Sequence, residues 1–270
     1  MVRYLLMFWY VLSCMKIRVN PWRFFQLNAD YFNRHKGIYS KYDINRMIPP
    51  RWRLGQILDN ASYLPSKYPV FLKPEWGQNS YGIYRADSLS ELKQLRRQLS
   101  GSHLTYLLQE AAPGKREFEV FYIRDANCSQ KHSVLSITEV INQKERQFPI
   151  NGIYNSACSY LDRTPELDRR QIRVLWHYLR RIGHFKIARV GIKADSMEKL
   201  LEGRFHIVEI NLFAPFPLNL LDTRQSFSRR FRFIRSAMLH LARITTKALK
   251  KKDEENIFFK KLIMHYRVKP

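Results

Sequence analysis

The stretch Phe205–Leu212, FHIVEINL, constrains the fold more than any other in the chain. Phe205, Ile207, Val208 and Ile210 make it a β-strand, and Glu209 and Asn211 stand two residues apart near its end. Side chains two apart on a strand point to the same face. A carboxylate and an amide are therefore presented together. Two hard oxygen donors on one face suit Mg²⁺ (or Mn²⁺), which in turn suits a nucleoside triphosphate. Taken alone, the pattern also fits an edge strand with a solvated Glu and a turn-forming Asn.

From Tyr68 the chain alternates between short apolar runs and polar loops. Pro69–Pro74 reads as a strand stopped by proline, with Lys73 near its end. A buried ammonium there needs a fixed anion. Glu75–Gly82 is a loop of small polar residues that can present backbone N–H groups to phosphate oxygens. A plain hairpin loop has the same texture. Ile83–Arg85 resumes a strand. Ser88–Ser100 is a helix with Ser88 or Ser90 as cap and Leu89, Leu92, Leu95 and Leu99 on one face.

Thr105–Leu108 is a strand leading into Gln109–Gly114, and Glu117–Ile123 and Ser133–Ile141 are further strands. Gln143–Gln147 reads as a polar turn. Pro165–Ile182 is a helix ended by Gly183. The strands Ile187–Ala194 and Arg204–Ile210 are joined by the short link Asp195–Gly203, so they pair antiparallel. Short strands interspersed with two helices give an α+β fold in two lobes.

The ends of the chain differ from this middle. Of a net charge of +24, residues 1–60 carry 10 Lys/Arg against 3 Asp/Glu, and residues 225–270 carry 13 against 3. Such ends predict an anionic partner, such as membrane headgroups, nucleic acid or a polyanionic substrate. Tyr4–Met15 is almost wholly apolar but shorter than the roughly 20 residues a transmembrane helix needs. A lone basic residue before it and the missing small-residue cleavage pattern argue against a signal peptide. A buried first strand or a helix dipping into a membrane is expected. Residues 16–60 mix aromatic and basic side chains as a packed lead-in, with base stacking as the alternative. Pro49-Pro50 breaks that segment, and a short helix is expected over Arg51–Asn60.

In residues 225–270, Phe227, Phe231, Ile234, Met238, Leu241 and Thr245 recur at helical steps with arginines largely on the other face. That is a basic amphipathic helix, to lie on an anionic membrane or to pack on the domain. Lys250–Lys252 and Asp253–Glu255 read as a solvated turn before a second apolar piece, Ile257–Tyr266. Cys14, Cys128 and Cys158 are too dispersed for a disulfide frame or a zinc site, which fits a reducing cytosol. A cytoplasmic protein, at most peripherally membrane-associated, is expected. No recognisable nucleic-acid-binding motif accompanies the charge, so nucleic acid is not the expected partner. The eight histidines form no ligand cluster.

The order of features is a lysine strand, a small-residue loop, a strand ending Gln-Glu, a Gly-x-x-Glu strand, an Arg strand and a Glu-x-Asn strand. Over about Tyr68–Leu221 it resembles the ATP-grasp superfamily, and within it the D-alanine–D-alanine ligase-like carboxylate–amine ligases. The resemblance implies two α+β lobes gripping ATP, followed by a basic C-terminal helical extension. It divides the chain into an N-terminal segment 1–60, a first lobe 61–110, a second lobe 111–224 with the metal site, and a tail 225–270. It assigns Lys73 to the phosphates and adenine N7. Gln78, Asn79 and Ser80 fall in the loop that closes over the β- and γ-phosphates. Gln109, Glu110, Ala111 and Ala112 form the lobe connector that clamps adenine, and Glu117 binds the ribose hydroxyls. Glu209 and Asn211 form the metal-binding pair, and Arg189 stabilises the phosphoryl in transfer.

The implied reaction is attack of a substrate carboxylate on ATP, giving an acylphosphate that an amine captures. The carboxylate and the acceptor are not specified by these motifs. Three departures stand out. Family members carry an acid two positions after the arginine, where this chain has Gly191; Asp195 on the same strand is the candidate substitute. Fewer residues precede the first motif than a full N-terminal substrate domain requires. Phe213-Ala214-Pro215-Phe216-Pro217 replaces the Gly-rich stretch that normally follows Glu-x-Asn. The Gly191 departure makes a non-catalytic ATP-binding module the alternative reading, and the charge of +24 leaves a basic nucleic-acid-binding protein as the more remote one.

Overall fold

In a computed structural model, residues 2–77, 80–145, 147–248 and residue 257 are described. Two antiparallel sheets organise them. The first has the strand order β1 (Gln56–Leu58), β4 (Tyr106–Glu110), β2 (Val70–Pro74), β3 (Tyr84–Ala86). Helix α3 (Leu89–Leu99) packs Leu92, Leu95 and Leu99 against this sheet's Val70, Leu72 and Leu108. Ser88 caps α3 by accepting from the Glu91 N–H at 3.2 Å.

The second sheet has the order β7 (Cys158–Asp162), β6 (His132–Asn142), β5 (Arg116–Arg124), β8 (Ile187–Ala194), β9 (His206–Asn211). β5 and β8 lie inside it and are largely buried on both faces, although Glu117, Glu119, Arg189 and Lys193 alternate along one of them. One face packs on α4 (Arg169–Leu179) through Leu175, Trp176 and Leu179. α4 begins later than its periodicity predicts. Asp168 and Gln171 form a capping box, and Pro165 falls in a separate 3₁₀ turn. The link between β8 and β9 is a short helix, α5 (Met197–Leu201). β7 was not expected from the sequence: Cys158–Asp162 shows no apolar alternation and is held by pairing with β6. Gly114, at φ +120°, lets the lobe connector pass against Ala194, where a Cβ would come within 2.8 Å of the backbone.

Of the two forms expected for Tyr4–Met15, the buried strand is not the one adopted, and the segment lies within a helix, α1 (Val2–Lys16). It can be helical because Tyr10, Ser13 and Cys14 supply one buried side, while Tyr4, Met7, Phe8, Val11 and Met15 face solvent. Arg51–Asn60 is not the helix expected there. The helix is α2 (Lys41–Arg46), capped by Ser40 and lying before Pro49-Pro50. The following residues are drawn into sheet pairing, Gln56 opposite Gln109. Phe32, Tyr39 and Trp52 are buried, as a packed lead-in requires.

Helix α6 (Phe227–Thr245) packs on α1. Tyr10 and Thr245 share a buried hydroxyl hydrogen bond of 3.0 Å, and Trp9 meets Phe231 edge to face. Phe227 departs from the apolar face expected of this helix and is exposed. Among the described residues no helix is long and apolar enough to cross a membrane. The expected turn at Lys250–Glu255 and the apolar piece after it lie outside the described residues, except for Ile257, which is buried.

Trp52 ties the lead-in to the second sheet. It is fully buried, stacks on Phe205 at 4.8 Å and donates from Nε1 to the Gly203 carbonyl at 2.9 Å. Trp52→Ala should cost about 3–5 kcal/mol, from the lost ring and the cavity left behind. Trp52→Phe should cost less, since it mainly orphans one buried carbonyl. Urea denaturation of the two variants tests this order.

Candidate functional site

The site is built on the face of β5, β8 and β9 that looks toward the first sheet. In the register of the sheet, Glu119 lies opposite Gly191 and Gly191 opposite Glu209. Arg189 lies opposite Asn211, and Glu117 opposite Lys193. Directly opposed residues share a face, and so do residues two apart on one strand. Glu117, Glu119, Arg189, Lys193, Glu209 and Asn211 therefore form one polar surface.

A bulge in β9 connects this surface to the other sheet. The register shifts between Gly191 and Ile192, which leaves Val208 out of the pairing with β8. The Val208 carbonyl instead accepts from Lys73 Nζ and from Gln109 Nε2, both at 3.3 Å. Lys73 also donates to Gln109 Oε1 at 2.6 Å. Its partners are thus neutral oxygens. Burial, followed by repulsion from Lys41, pulls the Lys73 ammonium down to about 7 against the attraction of Glu209. An ammonium held this way is ready for an incoming anion.

Glu209 shows the opposite balance. Burial alone would raise its carboxyl, but Lys41, Arg189 and Lys73 together outweigh burial and hold it at about 2. Asn211 Nδ2 donates to Glu209 Oε1 at 2.8 Å, so the two predicted metal-binding residues are in contact. Lys41 Nζ lies 3.8 Å from Glu209.

The acid missing at position 191 is replaced in space by Glu119, which sequence reasoning did not single out. A Cβ on Gly191 would lie 3.3 Å from Glu119 Oε1 and 3.6 Å from Glu209 Cγ. The Glu119 carboxylate thus occupies the room that the absent side chain leaves. Asp195 does not substitute. It is exposed beyond the end of β8, four residues past Gly191, which along a strand is about 13 Å. Burial raises the Glu119 carboxyl to about 7 despite Arg189 beside it. Arg189 Nε stands 3.1 Å from Glu119 Oε2, but the pair is not aligned as a hydrogen bond, and both buried atoms lack a hydrogen-bond partner.

These residues fit a hard divalent cation. Glu119, Glu209 and the Asn211 amide supply oxygens, and the unpartnered Glu119 oxygen is one that a cation would satisfy. Among the described residues no group of three or more His, Cys, Asp or Glu could hold a metal unaided.

The remaining predicted residues line the cleft between the sheets or border it. Lys73, Ser80, Gln109, Glu110, Ala112 and Glu117 border a cavity of about 100 Å³. Ala111 is in the connector beside them but does not line it. Gln78 and Asn79 lie outside the described residues. The cavity is smaller than the roughly 300 Å³ lower bound of ligand sites. It is narrowed by Phe148–Asn151: Asn151 Nδ2 donates to Glu117 at 3.0 Å, and the Ser80 hydroxyl donates to the Asn151 carbonyl. Lys193, also missed from sequence, stands 3.8 Å from Glu117.

Comparison with solved structures gives the class of the fold, which is that of the ATP-grasp ligases. A D-alanine–D-alanine ligase from Bacillus anthracis superposes with a TM-score of 0.51 at 14% identity, over 77% of this chain and 68% of its own. The VanG D-Ala:D-Ser ligase from Enterococcus faecalis gives 0.50 at 14% identity, over 76% of this chain and 61% of its own. An L-amino acid ligase from Bacillus licheniformis gives 0.49 at 15% identity, over 80% of this chain and 50% of its own. The chain thus spans only about half the length of that last protein. No family model matches the sequence. No curated protein matches it.

The lowered Lys73 has a consequence for stability. Between about 7 and the ordinary lysine range, the native protein binds fewer protons than the unfolded chain. The Lys73 contribution to stability should therefore rise with pH through that window, by at most about 1.4 kcal/mol per pH unit, and be constant below it. Urea denaturation across this range should show the slope in wild type and not in Lys73→Met.

Proposed function

We propose that the protein is an ATP-dependent ligase that joins a substrate carboxylate to an amine or similar nucleophile through an acylphosphate. The observation that carries this reading is that Lys73, Glu119 and Glu209 line one cleft between the two sheets of an ATP-grasp fold, with Arg189 and Asn211 in contact with its two carboxylates Glu119 and Glu209. Phosphoryl transfer requires little covalent help from a protein. It needs cations where charge moves, and in-line positioning.

On this reading Lys73 regains its full charge when it meets a phosphate. Glu117 exchanges Asn151 for the ribose hydroxyls, and the connector Gln109–Ala112 offers backbone groups to the base. Glu209, Glu119 and Asn211 would hold Mg²⁺, whose charge would offset that of the phosphates. Arg189 sits beside both carboxylates, where it can turn to the γ-phosphoryl. A carboxylate oxygen of the acid attacks the γ-phosphorus, and the bond to the ADP oxygen breaks. The amine nitrogen then attacks the acyl carbon, phosphate leaves, and the nitrogen loses a proton to give the amide.

The cleft must widen to admit a nucleotide, since its present volume is too small. Breaking the contacts of Asn151 with Ser80 and Glu117 is the local change that opens it.

The non-catalytic alternative rests on Gly191, and the position of Glu119 weighs against it. The test is Mg-ATP binding by calorimetry together with ADP release in the presence of acids and amines. Glu209→Gln should abolish Mg-dependent binding and reduce ADP release about a hundredfold or more. Glu119→Gln should weaken Mg-dependent binding at least about tenfold. Gly191→Asp alone should also weaken it, because two carboxylates would crowd one space. Glu119→Ala combined with Gly191→Asp should recover binding relative to Glu119→Ala alone. ATP binding without ADP release for any acid would favour the non-catalytic module. If Glu119→Gln binds Mg-ATP like wild type, Glu119 is not a ligand.

A further inference from the structure

A second cavity, of about 680 Å³, adjoins the polar face on its other side. That volume lies within the range that buries a drug-sized ligand. Its walls are Tyr10 of α1, Phe24, Phe25, Phe121, Phe216 and Met238 of α6. Among the described residues, the charged ones lining it are Arg3 and Arg189, and none is an acid. One end is bordered by Arg189 and Asn211, the same two residues that touch Glu119 and Glu209 in the cleft. Met7 and Val11 also border it and are 64% and 41% exposed, so the cavity opens along α1.

The segment that departs from the expected pattern builds part of this wall. Phe213–Pro217 lines the cavity, with Ala214 held at φ +42°, a conformation costly to any residue but glycine. Such strain persists only where surrounding structure enforces it, and it concentrates at functional sites. The Phe216 carbonyl accepts from Arg189 Nη1 at 3.4 Å, which couples this wall to the reacting end.

An apolar cavity with cations and no anions fits an amphiphile with an anionic head. We infer that the carboxylate substrate is an acid with an extended apolar chain, its carboxylate at Arg189 and Asn211 and its chain along the aromatic wall. The choice of an activated carboxylate rests on the ligase reading above. In the step this implies, the head carboxylate oxygen bonds to the γ-phosphorus as the bond to ADP breaks. The chain takes no part and serves only to hold the head in line.

The test is calorimetric titration of the full chain with hexanoate, octanoate, decanoate and dodecanoate, with Mg²⁺ and a non-hydrolysable ATP analogue present. Each two-carbon extension should tighten binding about tenfold as more apolar surface is buried. Val11→Trp and Met7→Asp, both at the exposed mouth, should weaken dodecanoate at least tenfold. Val11→Ala should not, and Mg-ATP binding in all three should match wild type, showing that they fold. Affinity that does not rise with chain length would overturn the inference. So would dodecanoate binding untouched by both mouth variants, since that is non-specific adsorption. Chain-graded binding with no ADP release from any acid would sustain the cavity assignment and count against the ligase reading.

Discussion

The structure depends on keeping charge buried between two sheets. Lys41, Lys73, Arg189 and Lys193 stand against Glu117, Glu119 and Glu209 in and around one cleft. Removing any such group from water is costly unless a partner compensates it. The compensation here is incomplete in a directed way. Lys73 has only neutral oxygens within hydrogen-bond reach, and Glu119 and Arg189 face each other without a well-formed hydrogen bond. The unspent cationic side favours an anion, and the unspent carboxylate oxygen favours a metal. A polyphosphate with its divalent cation supplies both.

The fold around this cleft exists to hold that arrangement still. β5 and β8 are interior strands, so their polar alternation is forced onto one surface, while Phe118, Val120, Val190 and Ile192 on the other are buried. The bulge at Val208 then turns a backbone carbonyl toward the first sheet, and Lys73 and Gln109 fasten to it. Both sheets are therefore joined at the candidate site itself. Movement of Phe148–Asn151 can open the cleft without breaking that junction.

Much of this was legible in the sequence because it repeats on short periods. Glu209 and Asn211 are two apart on a strand, so their shared face follows directly from the alternation. Lys73 was visible as a charge in an otherwise apolar run. Ser88 as cap followed from its place before a leucine stripe. Glu119 was not legible, although it lies within a strand that was. Its role depends on which strand is its neighbour and in what register, and neither is a local property. For the same reason Asp195 looked nearer to Glu209 and Asn211 than it is, because a strand's length counts in ångströms and not in residue numbers. The short helix expected over Arg51–Asn60 failed where tertiary pairing with β4 overrode local propensity. The solvent-facing apolar side of α1 likewise has no explanation in the helix alone.

That side of α1 and the aromatic cavity behind it change how the short N-terminal segment is understood. The helix α1, the aromatic turn Pro21–Gln26 and α6 together enclose a second chamber against the same sheet. Arg189 is the wall between the chambers. On one side its guanidinium meets Glu119 and Glu209, and on the other it meets the Phe216 carbonyl. An anion arriving in either chamber draws on the same cation, so occupancy of one alters the electrostatics of the other. A nucleotide phosphate and an acid head that both reach the Arg189 guanidinium would share its charge, and transfer between them requires the head oxygen to meet the γ-phosphorus in line there, at about 3–3.5 Å.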